Sequence, residues 1–225
     1  MVASNKGQKP VVVFWHLAPR DGKMSELLDA LNSVQRYVSE YRNTISCFYL
    51  LREKKAHTAS FILVFCFNSR QDYGTYVGSE AKARLDESCN TRDLLREPQR
   101  EQHLEPVAGF SLRPNDPHPK IGIHVAMARI QYAPGTRIEG IEHWKHVAAS
   151  VAKEEEEGTY TYWFLADPED EDVLYSLERY KDEKYLWDVH VPSKAIQENM
   201  KNQKHIRTGL LLRDFESSES DGKIV

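Results

Sequence analysis

Two stretches of this chain repeat one another. Ala18-Pro19 is answered by Ala133-Pro134, and Thr44–Leu50 (TISCFYL) is answered at the same offset by Thr159–Leu165 (TYTYWFL). Further on, Gly109, Leu112 and Arg113 are answered by Gly209, Leu212 and Arg213 at a shorter offset, which puts an insertion into the first copy, within the charged stretch Glu80–Gln102. Self-similarity at a fixed spacing means one supersecondary unit built twice. Between the copies, Arg113–Lys120 carries Pro114, Pro117 and Pro119. Proline removes backbone donors and restricts the residue before it, so neither helix nor strand should cross this segment. The division is therefore a first repeat over 1–113, a linker over 114–119 and a second repeat over 120–215.

Each copy reads as strand, helix, hairpin, helix, strand. In the first, Val11–Leu17 is a β-branched and aromatic run, Gly22 breaks the chain, and Leu27, Leu28, Leu31, Val34 and Val38 recur with helical spacing. Ile45–Leu51 and Ser60–Phe67 flank the polar turn Glu53–Thr58, a polar helix follows from about Arg70, and Pro106–Leu112 reads as the last strand. In the second copy Ile121–Ile130 is the first strand. Thr136 and Glu139 offer a capping box to a helix that points Ile138, Ile141, Trp144, Val147 and Val151 inward. The acidic run Glu154–Glu157 opposes the macrodipole at that helix's C-terminus, so fraying is expected near Lys153, with Gly158 closing the turn. The hairpin Thr159–Leu165 and Val173–Tyr180 comes next, then a helix over Lys181–His190 that Pro192 interrupts, and the strand Ile206–Leu212. The predicted fold class is α+β: two tandem ferredoxin-like βαββαβ repeats. Each sheet has one bare apolar face that must be buried, and packing the antiparallel sheets on each other gives an intramolecular α+β barrel.

Composition narrows the function classes. The formal net charge of −4 is spread without a basic stripe, so the phosphate attraction that nucleic-acid binding depends on has no source. The three cysteines, Cys47, Cys66 and Cys89, form no CxxC pair and read as core residues of a protein in a reducing, cytoplasmic setting. No run of about 18 apolar residues spans a bilayer, and the N-terminal stretch lacks the apolar centre of a signal peptide. The acidic, serine-rich tail 216–225 is expected to stay outside the fold. GxGxxG, Walker, GxSxG and HExxH patterns are missing from the sequence, which argues against dinucleotide enzymes, P-loop NTPases, elbow-type serine hydrolases and zincins.

Leu174–Ile196 (LYSLERYKDEKYLWDVHVPSKAI) resembles the antibiotic biosynthesis monooxygenase family of the dimeric α+β barrel superfamily. Glu178, Tyr180, His190, Pro192 and Ser193 stand at that family's third-strand glutamate and aromatic, its histidine about a dozen residues on, and the proline or small residue after it. Glu157-Gly158 and Tyr160 also fit the start of its second strand. The first copy resembles it in strand order only, with Leu63 or Val64 where the glutamate is expected and Thr75 or Tyr76 where the histidine is. The resemblance implies an oxygenase that needs no flavin or metal and acts on an electron-rich, hydrophobic aromatic such as an anthrone or hydroquinone of polyketide metabolism. A polyketide cyclase, a haem-binding relative with His190 as axial ligand, and a non-catalytic ligand-binding or structural barrel are the alternatives. With both sheets in one chain, the expected assembly is a monomer or weak homodimer.

Strand alternation puts Leu174, Ser176, Glu178 and Tyr180 on one face, and Gly122, His124, Ala126 and Ala128 on one face of the neighbouring strand. The expected site gathers His190, Glu178, Tyr180 and His124, with Tyr160, Tyr162 and Trp187 as substrate walls. His190 or His124 would take a phenolic proton, because the imidazole pKa lies near working pH. Glu178 would orient the histidine and Tyr180 would donate to a developing oxyanion. Against this, Glu178 can instead pair with Arg179, Lys181, Arg207 or Arg213, and His190 can instead serve the backbone beside Pro192. Trp144, Trp163 and Trp187 can all be core residues. His143 and His146, three apart on a helix, lack a third metal ligand at diagnostic spacing.

Overall fold

The computed structural model describes residues 9–54, 59–114, 116 and 123–217. The chain divides into two compact units: the first holds most of the residues up to His103, the second runs from Leu104 and also includes Glu53 and Lys54.

In the first unit, β1 (Val11–Leu17), β2 (Ile45–Glu53) and β3 (Phe61–Phe67) are antiparallel in the order β1-β3-β2. All seven residues of β3 are buried, which is why its sequence is an unbroken apolar run rather than an alternation. Helix α1 (Met24–Glu40) lays Leu27, Leu31, Val34 and Val38 on the sheet, four positions that recur every three or four residues. The expected polar helix is two helices, α2 (Arg70–Val77) and α3 (Glu80–Thr91). Ser69 and Ser79 cap them by accepting from the Asp72 and Lys82 amides. The extra length inferred from the shortened offset lies mostly after α3, in the turn over residues 92–99 and the early start of the strand that follows.

Strand β4 (Arg100–Phe110) starts earlier than Pro106, and its Leu104–Phe110 portion belongs to the second unit. There the strands run β8-β5-β7-β6-β4, all antiparallel, with β5 (His124–Tyr132), β6 (Thr159–Ala166), β7 (Val173–Tyr180) and β8 (Arg207–Ser217). The order β8-β5-β7-β6 is the ferredoxin-like one, and β4 extends it at β6. Gly109, at φ +83°, makes this approach possible: a Cβ there would lie 1.8 Å from the Tyr162 carbonyl oxygen.

Helix α4 (Arg137–Glu154) covers the sheet with Gly140, Trp144, Val147, Ala148 and Val151. Ile138 lies off that stripe and is 73% exposed, not inward. The capping box does not form, because Thr136 Oγ1 donates to the Ala133 carbonyl and Glu139 takes His205 instead. After β7 the chain makes the short helix α5 (Glu183–Tyr185), a π-helical turn (Leu186–His190), a break at Val191–Ser193, and α6 (Lys194–Asn202). Helix α6, which the periodicity did not suggest, starts on a Ser193 cap and buries Ile196 and Asn199. Strand β8 continues through Glu216 and Ser217, where the tail was expected to have left the fold. The remaining tail residues, Gly122, and most of the proline-rich linker lie outside the described residues. Among the described residues no helix is long and apolar enough to cross a membrane.

Candidate functional site

The register of the second unit sets the floor of the site. Ala126 pairs with Glu178, which pairs with Tyr162, and His124 pairs with Tyr180, which pairs with Thr159. Directly opposed residues share a face, so His124, Glu178, Tyr180 and Tyr162 stand together beside the small residues Ala126 and Ala128, as the alternation predicts. Tyr180 and Ala126 pack with Tyr185, Leu186 and Val191 of the following helical segment.

His190 comes down onto this face from the π-helical turn. Its ring lies 5.1 Å from that of Tyr162 and 5.0 Å from that of Tyr180, centre to centre. Local chemistry fixes the segment. Asp182 accepts from the Tyr185 amide to start α5, and the Lys181 amide donates to the Gly158 carbonyl. Gly158 is the floor under Tyr185, where a Cβ would come within 2.2 Å of the ring. π-helical turns are rare and concentrate at functional sites, and here the turn delivers the histidine.

The carboxylate that holds His190 is Glu155, not Glu178. His190 Nδ1 lies 2.9 and 3.1 Å from the two Glu155 oxygens, and Thr159 Oγ1 donates to Oε2 at 2.7 Å. Glu155 belongs to the acidic run read as a frayed, solvated helix end. The helix in fact persists to Glu154, and Glu155, its C-cap, turns inward to 5% exposure. Arg113 offsets the C-terminal dipole there, donating to the Val151, Ala152 and Thr159 carbonyls. A buried carboxylate needs such partners. The available sequence signal was the spacing of Glu155 three residues before Gly158 and four before Thr159.

Glu178 instead accepts from the Tyr180 hydroxyl at 2.7 Å. Burial first, then the Glu178 charge, push the Tyr162 and Tyr180 hydroxyls well above the ordinary phenol pKa, so both stay protonated donors. Two of the arginines offered as partners for Glu178 are engaged elsewhere: Arg179 with Asp116 at 3.0 Å and Thr161 at 3.2 Å, and Arg213 with Glu53 at 2.6 Å. His124, also buried, has Asp214 3.5 Å from Nε2. Nearby charge thus divides into three settings: Glu155 with His190 and Thr159, Glu178 with Tyr180, and Asp214 with His124.

Tyr160 is partly buried, and Trp187 is 50% exposed, so Trp187 neither walls this cluster nor belongs to the core. It lies on the outer side of the π-helical turn, three residues before His190. Trp144 and Trp163 are buried. The cluster itself is closed, with His190 at 3% and Glu178 at 9% exposure. A separate cleft of about 430 Å3 lies between α4 and α6 and is lined by His143, His146, Glu154, Lys194, Glu198 and Asn199 among others. Among the described residues no three histidine, cysteine, aspartate or glutamate side chains gather as a metal site.

The first unit has aromatic rings where the second has these polar groups. A β-bulge follows Ile45, which pairs with Phe67, just as one follows Thr159, which pairs with Tyr180. Counting from the bulges puts Phe65 at the position of Glu178, not Leu63 or Val64. Tyr76 packs against Phe65 and Phe67 with ring centres 5.1 and 5.6 Å apart, in the manner of His190 on its own sheet.

Residues 123–202 match the family model for antibiotic biosynthesis monooxygenase. No curated protein matches the chain. Among solved structures, a proposed monooxygenase from Lactobacillus acidophilus is similar with a TM-score of 0.77 at 11% identity, covering 93% of this chain and 94% of its own. One from Fusobacterium nucleatum gives 0.78 at 12% identity, covering 94% and 93%. An anthrone oxidase-like protein gives 0.60 at 10% identity, covering 94% and 92%. At these identities the likeness is one of fold, and it extends over both repeats. The Glu155, Glu178, His190, Tyr162 and Tyr180 side chains described above all fall within the stretch, residues 123–202, that is similar to the antibiotic biosynthesis monooxygenase family model.

Proposed function

We propose that the second repeat is a cofactor-independent monooxygenase acting on a hydrophobic aromatic of the anthrone, hydroquinone or polyketide type. The observation that carries this reading is the buried Glu155–His190 pair, set against two tyrosines held protonated. With Nδ1 donating to Glu155, the lone pair of the ring lies on Nε2, the arrangement a general base needs. Nε2 would remove a phenolic proton, and the resulting electron-rich anion would reduce dioxygen. One oxygen atom would go to carbon, and the other would leave as water with the two hydrogens the substrate gives up. Glu155 would orient the ring and stabilise the imidazolium. The anthrone oxidase-like neighbour supports the substrate class through shared fold alone.

The closure of the cluster adds a requirement. His190 is sealed by its own π-helical turn, so substrate admission would displace Leu186–His190 from the sheet. The same closure favours a second reading, a non-catalytic α+β protein in which Glu155–His190 is a structural tie. Oxygen uptake with a panel of anthrones and hydroquinones, without added flavin or metal, separates the two. Uptake by the wild-type protein that His190→Ala removes is expected; no uptake with any member of the panel would favour the structural tie.

A further inference from the structure

The first unit holds a pair of nucleophiles that the proposed chemistry does not use. Cys47 on β2 is directly opposite Cys66 on β3. The register alone would not bring them together: Ile45 pairs with Phe67, so an unbroken ladder would set Ser46 against Cys66 and Cys47 against Phe65. The bulge takes up Ser46, and Cys47 moves into place opposite Cys66. Ser46 then turns outward and its hydroxyl donates to the Cys66 carbonyl at 3.1 Å. Both thiols lie on the face opposite to α1, since Ile45, Phe48, Phe65 and Phe67 are the residues that join the helix-side core.

Directly opposed residues on antiparallel strands have Cα atoms about 4.5 or about 5.5 Å apart. A disulfide accepts about 4.4–6.8 Å, so the Cα separation of either pairing type is compatible with the bond. The thiols already touch: the Cys47 thiol hydrogen-bonds to Cys66, and this bond is the largest cause that brings the Cys66 pKa down to about 7, against the opposing effect of burial. Cys89, by contrast, is pushed up by burial and the nearby Asp86. In the second unit the matching positions after the bulge are Thr161 and Arg179, which hydrogen-bond each other at 3.2 Å. The first unit therefore places two thiols where the second has a structural polar contact.

We propose that Cys47 and Cys66 are a redox-active dithiol that hydroperoxides convert to a cross-strand disulfide. The Cys66 thiolate attacks the peroxide: an S–O bond forms, the O–O bond breaks, and the leaving hydroxide takes a proton to become water. The Cys47 thiol then displaces the oxygen of the Cys66 sulfenic acid. The S–S bond forms, the S–O bond breaks, and a second water leaves. Two thiols lose two electrons and hydrogen peroxide gains them. The pair is buried, with Cys47 at 3% and Cys66 at 5% exposure. The small oxidant reaches it at the bulge, where the ladder is interrupted and the neighbouring Ser46 is exposed.

The test uses the full chain, reduced, desalted and treated with hydrogen peroxide under native conditions. Remaining thiols are then alkylated in denaturant and the digest is read by mass spectrometry. The expected result is an intramolecular Cys47–Cys66 linked peptide, reversed by a dithiol reductant, with Cys89 recovered alkylated. In Cys47→Ser, Cys66 should instead accumulate as sulfenic or sulfinic acid. The same preparation treated with phenylarsine oxide, which bridges two adjacent thiols, should protect Cys47 and Cys66 from alkylation and leave Cys89 reactive once unfolded. Recovery of all three cysteines as alkylated thiols after peroxide, or linkage through Cys89, would overturn the proposal.

Discussion

Replacing Glu155 with glutamine keeps the shape of the side chain and removes its charge. In the native protein the carboxylate accepts from two donors, His190 Nδ1 at 2.9 Å and Thr159 Oγ1 at 2.7 Å, at 5% exposure. The amide oxygen of glutamine can retain one of these donors, and its NH2 group then faces the other. The loss is one charge-assisted hydrogen bond, about 1.5–3 kcal/mol. For a chain of 225 residues, each kcal/mol shifts the unfolding midpoint by roughly 2–4 °C, so a drop of about 3–12 °C is expected. A double-mutant cycle with His190→Gln isolates the pair. Urea unfolding followed by tryptophan fluorescence should give a coupling energy of about 1–3 kcal/mol, because contacting groups are not additive. Single-mutant effects that add to within about 0.5 kcal/mol would refute the claim that Glu155 and His190 act as one unit.

Gly109→Ala should be strongly destabilising, since its φ of +83° disfavours any side chain and the new Cβ would meet the Tyr162 carbonyl. Hydrogen exchange should show β4 amides from Leu104 to Phe110 losing protection first. Gly158→Ala drives a Cβ into the Tyr185 ring; overpacking of about 1–3 kcal/mol is expected, with the midpoint read by circular dichroism. Trp187→Ala should change stability by no more than about 0.5 kcal/mol, the usual range for exposed positions, and a larger loss would mean that the π-helical turn depends on that ring. Tyr132 is held up to about 12 by burial, and Tyr162 and Tyr180 are raised well above 10. A raised folded pKa favours the protonated form in the native state, so this stability is complete below pH 10 and is lost as pH rises through the folded pKa, about 12 for Tyr132. Absorbance titration of the native protein should leave these three phenols un-ionised after the exposed tyrosines have titrated.

The βαββαβ order was legible because its signals are local: β-branched runs for β1 and β3, helical spacing in α1 and α4, and a hairpin turn between strands. The face shared by His124, Glu178 and Tyr180 was legible for the same reason, since alternation along a strand has a strict period of two. Partner identity was not. Glu155 lies in a run of acidic residues that by composition reads as solvent-facing, and only the returning chain at Gly158 turns it inward. The bulges escaped notice too, because a one-residue insertion leaves no mark on composition. They move the Glu178 equivalent to Phe65 and bring Cys47 opposite Cys66. Helix α6 was missed because Pro192 reads as a stop, whereas Ser193 restarts the helix with a cap. Trp187 was assigned to a wall on side-chain type alone, and the wider winding of the π-helical turn carries it to the surface.

Whether the His190 imidazole is the base of an oxygen-consuming reaction in the second repeat is tested by chemical rescue. Oxygen uptake is measured for wild type and for a folded His190→Ala protein, each with and without added imidazole, on a substrate that the wild type turns over. Loss of a general base lowers turnover by about 10²–10⁴-fold. The expected result is a loss of that size in the variant, partly restored by imidazole, with the wild-type rate unaffected by it. Uptake by His190→Ala at the wild-type rate would contradict this role for His190.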